Sequence, residues 1–408
     1  MASEALSHLR VLDLSRVLAG PWASQVLADL GAEVIKVERP VAGDDTRRWG
    51  PPWLRDGRGE ETGESAYFLA ANRGKRSITV DLARPEGQAI VRRLAARADV
   101  LLENYKAGAL ARWGLGYEDL AARCPRLVYC SITGFGQTGP YRARAGYDFL
   151  IQAMGGLMSV TGEPDGAPGG GPMKVGVAVT DVLTGLYAAT AVLAALAHRE
   201  RSGRGQHVDL ALLDVQVAAL ANQAESYLVT GRSPGRLGNA HPSIVPYQAF
   251  ATRDGHLVLA VGNDGQFARL CEVAGRPDLA RDARFATNAA RVEHRAELLA
   301  VLEPILAARA TEAWLAALEA AGVPCGPIHD LEHVFADPQV RHRRLCVEAP
   351  HPLSGTVPMV ACPIRLSATP VRHDVAPPLL GQHTREVLGE LLGMDEAELE
   401  RLRRDGVI

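Results

Sequence analysis

Asp181 stands where a stretch of small and polar residues gives way to a long segment rich in Ala and Leu, TDVLTGLYAATAVLAALAHRERS. A carboxylate at the mouth of a helix does one of two things. As an N-cap it accepts a hydrogen bond from the first turn and gains from the helix dipole, together worth ~1 kcal/mol. As a nucleophile it uses the same place differently: the positive helix end keeps it ionised, and amides nearby receive developing negative charge. Carboxylates attack ordinary esters poorly. A thioester is easier, because its thiolate leaving group has a pKa near ~8.5, and an acyl-aspartyl anhydride comes within reach. Position alone leaves cap and nucleophile both open.

The elements that must hold Asp181 follow from the periodicity. Arg10 to Leu14 reads as a strand, Pro21 as the start of a helix with Trp22, Val26, Leu27 and Leu30 on one face, and Gly31 as its stop. VIKVE from Val34 is the next strand, followed by SITVDL from Ser77, a helix after Pro85, DVLLEN from Asp99 and LVYCSIT from Leu127. Strand–helix–strand repeats imply a parallel sheet with right-handed crossovers. The fold class is therefore α/β, with a large open Rossmann-like sheet domain. The turn after the first strand, RVLAGP, lacks G-x-G-x-x-G, which argues against a nicotinamide dehydrogenase. The helix from Asp181 to about Glu200 is apolar almost all round and is expected to be buried. SGRGQ is a turn, HVDLAL a strand, and a further helix reaches about Tyr227. After the Gly/Pro-rich GRSPGRLGNAHPSIVPYQ a separate block begins. We expect a large domain over residues 1–229 and 330–408, with a small α+β domain inserted at 230–329. The loop Gly162 to Pro172 is read as mobile.

Composition narrows the function. The 408 residues are 47% hydrophobic and 22% charged, an ordinary globular mixture. A formal charge of -3 argues against nucleic-acid or membrane-surface binding, which needs a basic excess. Any polyanionic ligand must then be held by local cations. The six cysteines include no C-x-x-C pair, which disfavours the common zinc and redox spacings and suits reduced thiols. MASEALSHLRVLDLS has no signal-peptide pattern, and the run Ala188 to Ala197 is short of the ~18 residues of a spanning helix. The expected location is the cytoplasm.

Many segments together carry a family resemblance: VLDLSRVLAGP, EVIKVERP, GDDTRRWGPP, NRGKRSITVDL, LLENYKAGAL, SITGFGQTGP, TDVLTGLYAA with RSGRGQ at the matching distance, GVPCGPI and PLLGQHT. Spread over essentially the whole chain, they make it resemble the family III CoA-transferases. The resemblance implies a CoA-transferase that works through a covalent aspartyl intermediate on Asp181, with a coenzyme A thioester as substrate. It implies no permanently bound cofactor and no metal, and an interlocked homodimer. Position by position it implies coenzyme A contacts at Val17, Leu18, Ala19, Arg39, Val80, Asn104, Tyr105 and Arg112. Arg suits phosphate clamps and Tyr offers a stacking face, although Arg39 and Arg112 taken singly read equally as solvated charges. Ala145 stands where some relatives place a phosphate-binding lysine, so Arg144 is the substitute.

Tyr147 separates two branches of this fold. Related α-methylacyl-CoA racemases carry G-H-D where this chain has Gly146-Tyr147-Asp148, and tyrosine, with a pKa of ~10, is a poor base at neutral pH. Tyr147 is then a substrate contact or a packing residue. GDDTRRWGPP, HPSIVPYQAF and GNDGQFA look most like the branch that exchanges CoA between succinyl-CoA and glutarate or similar dicarboxylates. A second carboxylate wants a fixed cation: Arg47 and Arg48 are candidates, as is His241, against solvated or structural roles for each. Gly169-Gly170-Gly171 is a candidate shield for the anhydride. The rival readings are a racemase-like isomerase and a non-catalytic CoA-binding protein.

Overall fold

The computed structural model describes residues 4–408. They form two compact units, the first made of the residues up to 156, 175–224 and 338–408, the second of 157–174 and 225–337. Residues 157–174, placed with the large domain on sequence, group with the second unit. There the Gly238 amide donates to the Gly162 carbonyl at 3.0 Å, and Arg236 reaches the Glu163 carbonyl at 3.2 Å.

In the first unit six strands make one parallel sheet: β1 (Arg10–Asp13), β2 (Glu33–Glu38), β3 (Lys75–Thr79), β4 (Val100–Glu103), β5 (Val128–Thr133) and β6 (His207–Ala211). Their order is β3-β2-β1-β4-β5-β6. Both faces are covered, so strands such as VLLE and VYCSIT are buried throughout. Alternate residues serve opposite cores. Leu12, Ile35, Ile78, Leu101 and Tyr129 pack in one cluster, while Val11, Val34, Val100, Leu102 and Val128 pack in the other. The chain steps outward from β1 to β3 and then returns to the far side of β1 with β4. In an open α/β sheet that reversal leaves a crevice outside the strand C-termini, where ligands bind.

Helix α1 (Ala19–Asp29) starts two residues before Pro21, and no side chain caps it. Helix α2 (Pro85–Ala95) carries its Pro in the first turn and buries Ile90, Val91 and Leu94. Helices α3 (Asp148–Met154), α4 (Val179–Ser202) and α5 (Leu212–Ala219) pack against one another, and α4 also lies along α1. Gly185 permits that approach, since a Cβ there would stand 2.8 Å from the Ala19 carbonyl oxygen and 2.9 Å from Trp22 Cβ. Contrary to expectation, α4 is not buried all round: Leu186, Tyr187 and Leu193 are exposed. Its 24 residues are long and apolar enough to cross a membrane by length and composition, which the shorter run read from sequence did not suggest. Its other face, with Ala188, Val192, Ala195 and Leu196, is built into the core.

The second unit holds an antiparallel sheet of β7 (Tyr247–Ala251), β8 (His256–Ala260) and β9 (Cys325–Pro327), with β8 central. Its core gathers Phe250, Leu257, Leu259, Phe267, Leu302 and Trp314.

Candidate active site

The crevice predicted by strand order is present. The turn after β1 (Arg16 to Ala19), the segment after β4 (Asn104 to Ala107), the end of β5 with Gly134, the stretch Ala145 to Tyr147 and Asp181 line one cleft of about 140 Å³. Two glycines bring the β5 loop and the Tyr147 segment together: a Cβ on Gly134 would lie 2.6 Å from Gly146 Cα.

Val17 is the unusual backbone of the cleft, with φ at +70°. A β-branched residue is strained in that left-handed region. Asn104 clamps the preceding residue from both sides, accepting from the Arg16 amide at 2.9 Å and donating to the Arg16 carbonyl at 2.6 Å. Its amide is thus committed to shaping the turn.

Asp181 occupies the third position of α4 rather than its cap, and no side chain of the helix's own start caps it. The cap comes from α3. Asp148 Oδ2 accepts from the Thr180 amide at 2.8 Å and from the Asp181 amide at 3.2 Å, while Oδ1 accepts from Gln152 at 2.5 Å. Because Asp148 takes those amides, they do not serve Asp181. Burial, joined by the negative charge of Asp148, pushes the Asp181 carboxyl up to about 7. The helix start therefore does not keep it ionised far below neutrality as expected. Tyr67 stands close enough for the Asp181 charge to raise its own pKa, behind the larger effect of burial. Asp148 was read only as the last residue of Gly146-Tyr147-Asp148 and not as a partner of Asp181, and Tyr67 carries no spacing signal; the fold brings both in.

The remaining predicted residues divide. Val17, Leu18, Ala19, Asn104, Tyr105, Tyr147 and Asp181 meet in the cleft. Tyr147 is 61% exposed, so it does not pack within its own chain. Arg39 lines an adjoining recess that shares Arg16 and Tyr105. Val80 is 1% exposed and belongs to the core, so its side chain offers no surface to a ligand. Arg112 is exposed on a short helical turn and lines neither space. Arg47 is corrected outright: it is buried, pairs with Glu38 at 2.7 and 2.8 Å and Glu64 at 3.2 Å, bonds the Pro378 carbonyl, and lies over the Phe68 ring. Four of the five guanidinium N–H donors are taken by these partners, and the side chain does not line the cleft. His241 belongs to the second unit, where its ring packs near Tyr247 and its Nδ1 accepts from the Ser243 amide. The local cations that the net charge demanded are Arg16, Lys106, Arg142 and Arg144, all on the cleft. Among the described residues Lys106 and Arg142 pair with no carboxylate, whereas Arg16 is bridged to Asp45 at 2.5 Å. No histidine lines the cleft among the described residues.

Comparison with known proteins agrees with this architecture. Residues 6–384 match CoA-transferase family III. The chain is 54% identical to a succinate–glutarate CoA-transferase of Agrobacterium fabrum, covering 95% of each chain. It is 48% identical to the succinyl-CoA:glutarate CoA-transferase of Mus musculus, over 99% of this chain and 90% of that one. A crystal structure of a CAIB/BAIF family protein from Brucella suis superposes with a TM-score of 0.84 at 50% identity, covering 96% of this chain and 100% of that one.

Proposed function

The chain belongs to CoA-transferase family III and is a CoA-transferase, and from that premise we propose that it moves coenzyme A from succinyl-CoA to a dicarboxylate such as glutarate through Asp181. The observation that carries the role of Asp181 is its placement: among the described residues it is the one carboxylate on a cleft whose other walls supply the turn at Val17, the Asn104–Tyr105 segment and four cations. The acids are those in the names of the relatives that match over nearly the full chain.

In the proposed cycle an Asp181 oxygen attacks the thioester carbonyl, the C–S bond breaks, and the thiolate leaves an aspartyl–succinyl anhydride. The thiolate attacks the aspartyl carbonyl, forming an aspartyl thioester and releasing succinate. The acceptor carboxylate displaces the thiolate to give a second anhydride. The thiolate then takes the acceptor acyl group, and the Asp181 carboxylate is restored. Lys106 and Arg142 at the cleft supply positive charge for the thiolate and the phosphates. At about 140 Å³ the cleft is smaller than the ~300–1,000 Å³ usual for whole ligands. It suits the reacting end of coenzyme A, with the remainder running past Tyr105 toward Arg39.

A homodimer is part of the proposal. Phe149 and Leu150 on α3, Leu186, Tyr187 and Leu193 on α4 and Val217 on α5 expose apolar surface on three mutually packed helices, the kind of surface a second copy covers. Light scattering of the native protein should give the mass of two chains, and the mass of one would remove this support. The six cysteines are all free thiols, which fits the proposed cytoplasmic location.

The transfer test is mass spectrometry of acyl-CoAs after mixing the protein, or Asp181→Ala, with succinyl-CoA and glutarate. Glutaryl-CoA from the native protein alone supports the proposal. Equal turnover by the variant would rule out Asp181 as nucleophile, and loss of an α-proton label from a 2-methylacyl-CoA without acceptor would favour isomerisation.

A further inference from the structure

The backbone of Val17 raises a question that the cleft alone does not answer: what keeps a β-branched residue at φ +70°? The atoms that do so lie behind the cleft. The Val17 amide donates to both oxygens of Asp44, at 3.1 and 3.3 Å. Oδ1 also accepts from the amide and hydroxyl of Thr46, at 3.0 and 2.8 Å. Oδ2 takes Lys36 Nζ at 2.8 Å, and the same ammonium donates to the Ser15 carbonyl at 2.9 Å. The side chains of Lys36 and Asp44 are both wholly shut off from solvent. Burial alone would raise the Asp44 pKa, but Lys36 and the Thr46 donors bring it down to about 2, so the carboxylate is charged throughout the working range. The pair is anchored in turn, since the Asp44 amide donates to Glu38 Oε2 at 3.0 Å, the oxygen that also receives Arg47 Nε.

We propose that Asp44, paired with Lys36, is a positioning residue for the coenzyme A cleft: it pins Val17 in the left-handed conformation and so sets the direction in which Leu18 and Ala19 enter α1 and face the ligand. Ser15, Arg16 and Val17 are each tied by a side chain from elsewhere, namely Lys36, Asn104 and Asp44. Of the three, Asp44 holds the residue that would otherwise relax. Freed from that carboxylate, Val17 returns to negative φ, the conformation ordinary for its type, and the cleft wall turns with it. Asp44 touches no reacting atom; it acts through the backbone. The inference rests on the reading of this cleft as the coenzyme A site.

The experiment measures KM and kcat for succinyl-CoA in Asp44→Asn, in Val17→Gly and in the double variant, with Tyr105→Ala as a control for the cleft itself. Loss of a charge-assisted bond predicts a KM roughly tenfold or more above native in Asp44→Asn, with kcat within about threefold because the chemistry is untouched. Glycine adopts positive φ without strain, so adding Asp44→Asn to Val17→Gly should change KM by no more than about threefold relative to Val17→Gly. A carboxylate that serves only to hold the fold together would show no such rescue. If Asp44→Asn does not fold because Lys36 is left buried and unpaired, Lys36→Met with Asp44→Asn removes both charges and must show the same rise in KM. An unchanged KM, or an equal rise in the glycine background, overturns the proposal. Should Tyr105→Ala also leave KM unchanged, the cleft assignment fails as well; a rise there with none in Asp44→Asn refutes only the role of Asp44.

Discussion

Replacing Asp181 by Asn should stabilise the protein, and by an amount that depends on pH. In the folded chain the carboxyl titrates near 7, against an ordinary value of 3.8, because burial and then Asp148 disfavour its charge. The folded state therefore binds this proton more tightly than the unfolded one. Between about pH 4 and pH 7 the unfolded chain has lost the proton and the folded chain keeps it, so stability falls as pH rises and levels off above 7. Three pH units at ~1.36 kcal/mol each give about 4 kcal/mol as the full penalty. Asn carries no such cost, and any helix-dipole gain of the ionised carboxylate is already contained in the shift. The net expectation is little difference at pH 4 and roughly 4 kcal/mol in favour of Asp181→Asn at pH 8. Urea unfolding followed by tryptophan fluorescence reads this directly, because Trp22, Trp49, Trp53 and Trp113 lie in the first unit and only Trp314 in the second. Parallel stability curves for native and variant between pH 4 and 8 would refute the electrostatic reasoning.

The same titration should govern catalysis: kcat/KM for the acyl-CoA should rise with pH through a midpoint near 7 as the nucleophile ionises. Asp148→Asn removes the neighbouring negative charge but not the burial, and should move that midpoint downward without bringing it to 3.8. Arg47→Met leaves Glu38 buried without its main partner and should cost about 3–5 kcal/mol in urea. The acceptor KM of whatever Arg47→Met protein stays folded should be unchanged, since that side chain faces Glu38 and Glu64 and not the cleft; a selective rise in glutarate KM would contradict this. Gly185→Val places side-chain atoms against the Ala19 carbonyl and Trp22 and should abolish transfer by displacing the start of α4, which succinyl-CoA turnover at a temperature where the variant remains folded will show.

The parallel sheet was readable because its strands are apolar runs punctuated by Pro and Gly, but the strand order that creates the crevice was not, since right-handed crossovers leave that order open. Asp181 was readable because a lone carboxylate before an apolar helix is conspicuous. Its cap was not: Asp148 is 33 residues away in sequence, and only the tertiary packing of α3 against α4 and α5 brings it to the head of α4. The arginines show the same limit. Arg47 and Arg142 are alike as letters, yet one is consumed by Glu38 and the other stands on the cleft. Lys36 lies inside a strand read from sequence and Lys75 just before one read as starting at Ser77, yet both are fully buried against carboxylates. Val80 shows the converse, a position that the resemblance assigned to the ligand and that packing assigns to the core.

The proposed transfer requires that a covalent bond to coenzyme A form at Asp181. Intact-protein and peptide mass spectrometry after rapid mixing with succinyl-CoA, without acceptor, tests it most directly. A coenzyme A adduct is expected on the peptide containing Asp181, absent from Asp181→Asn and discharged by glutarate. Transfer that proceeds with no adduct there, or with the adduct on another residue, would contradict it.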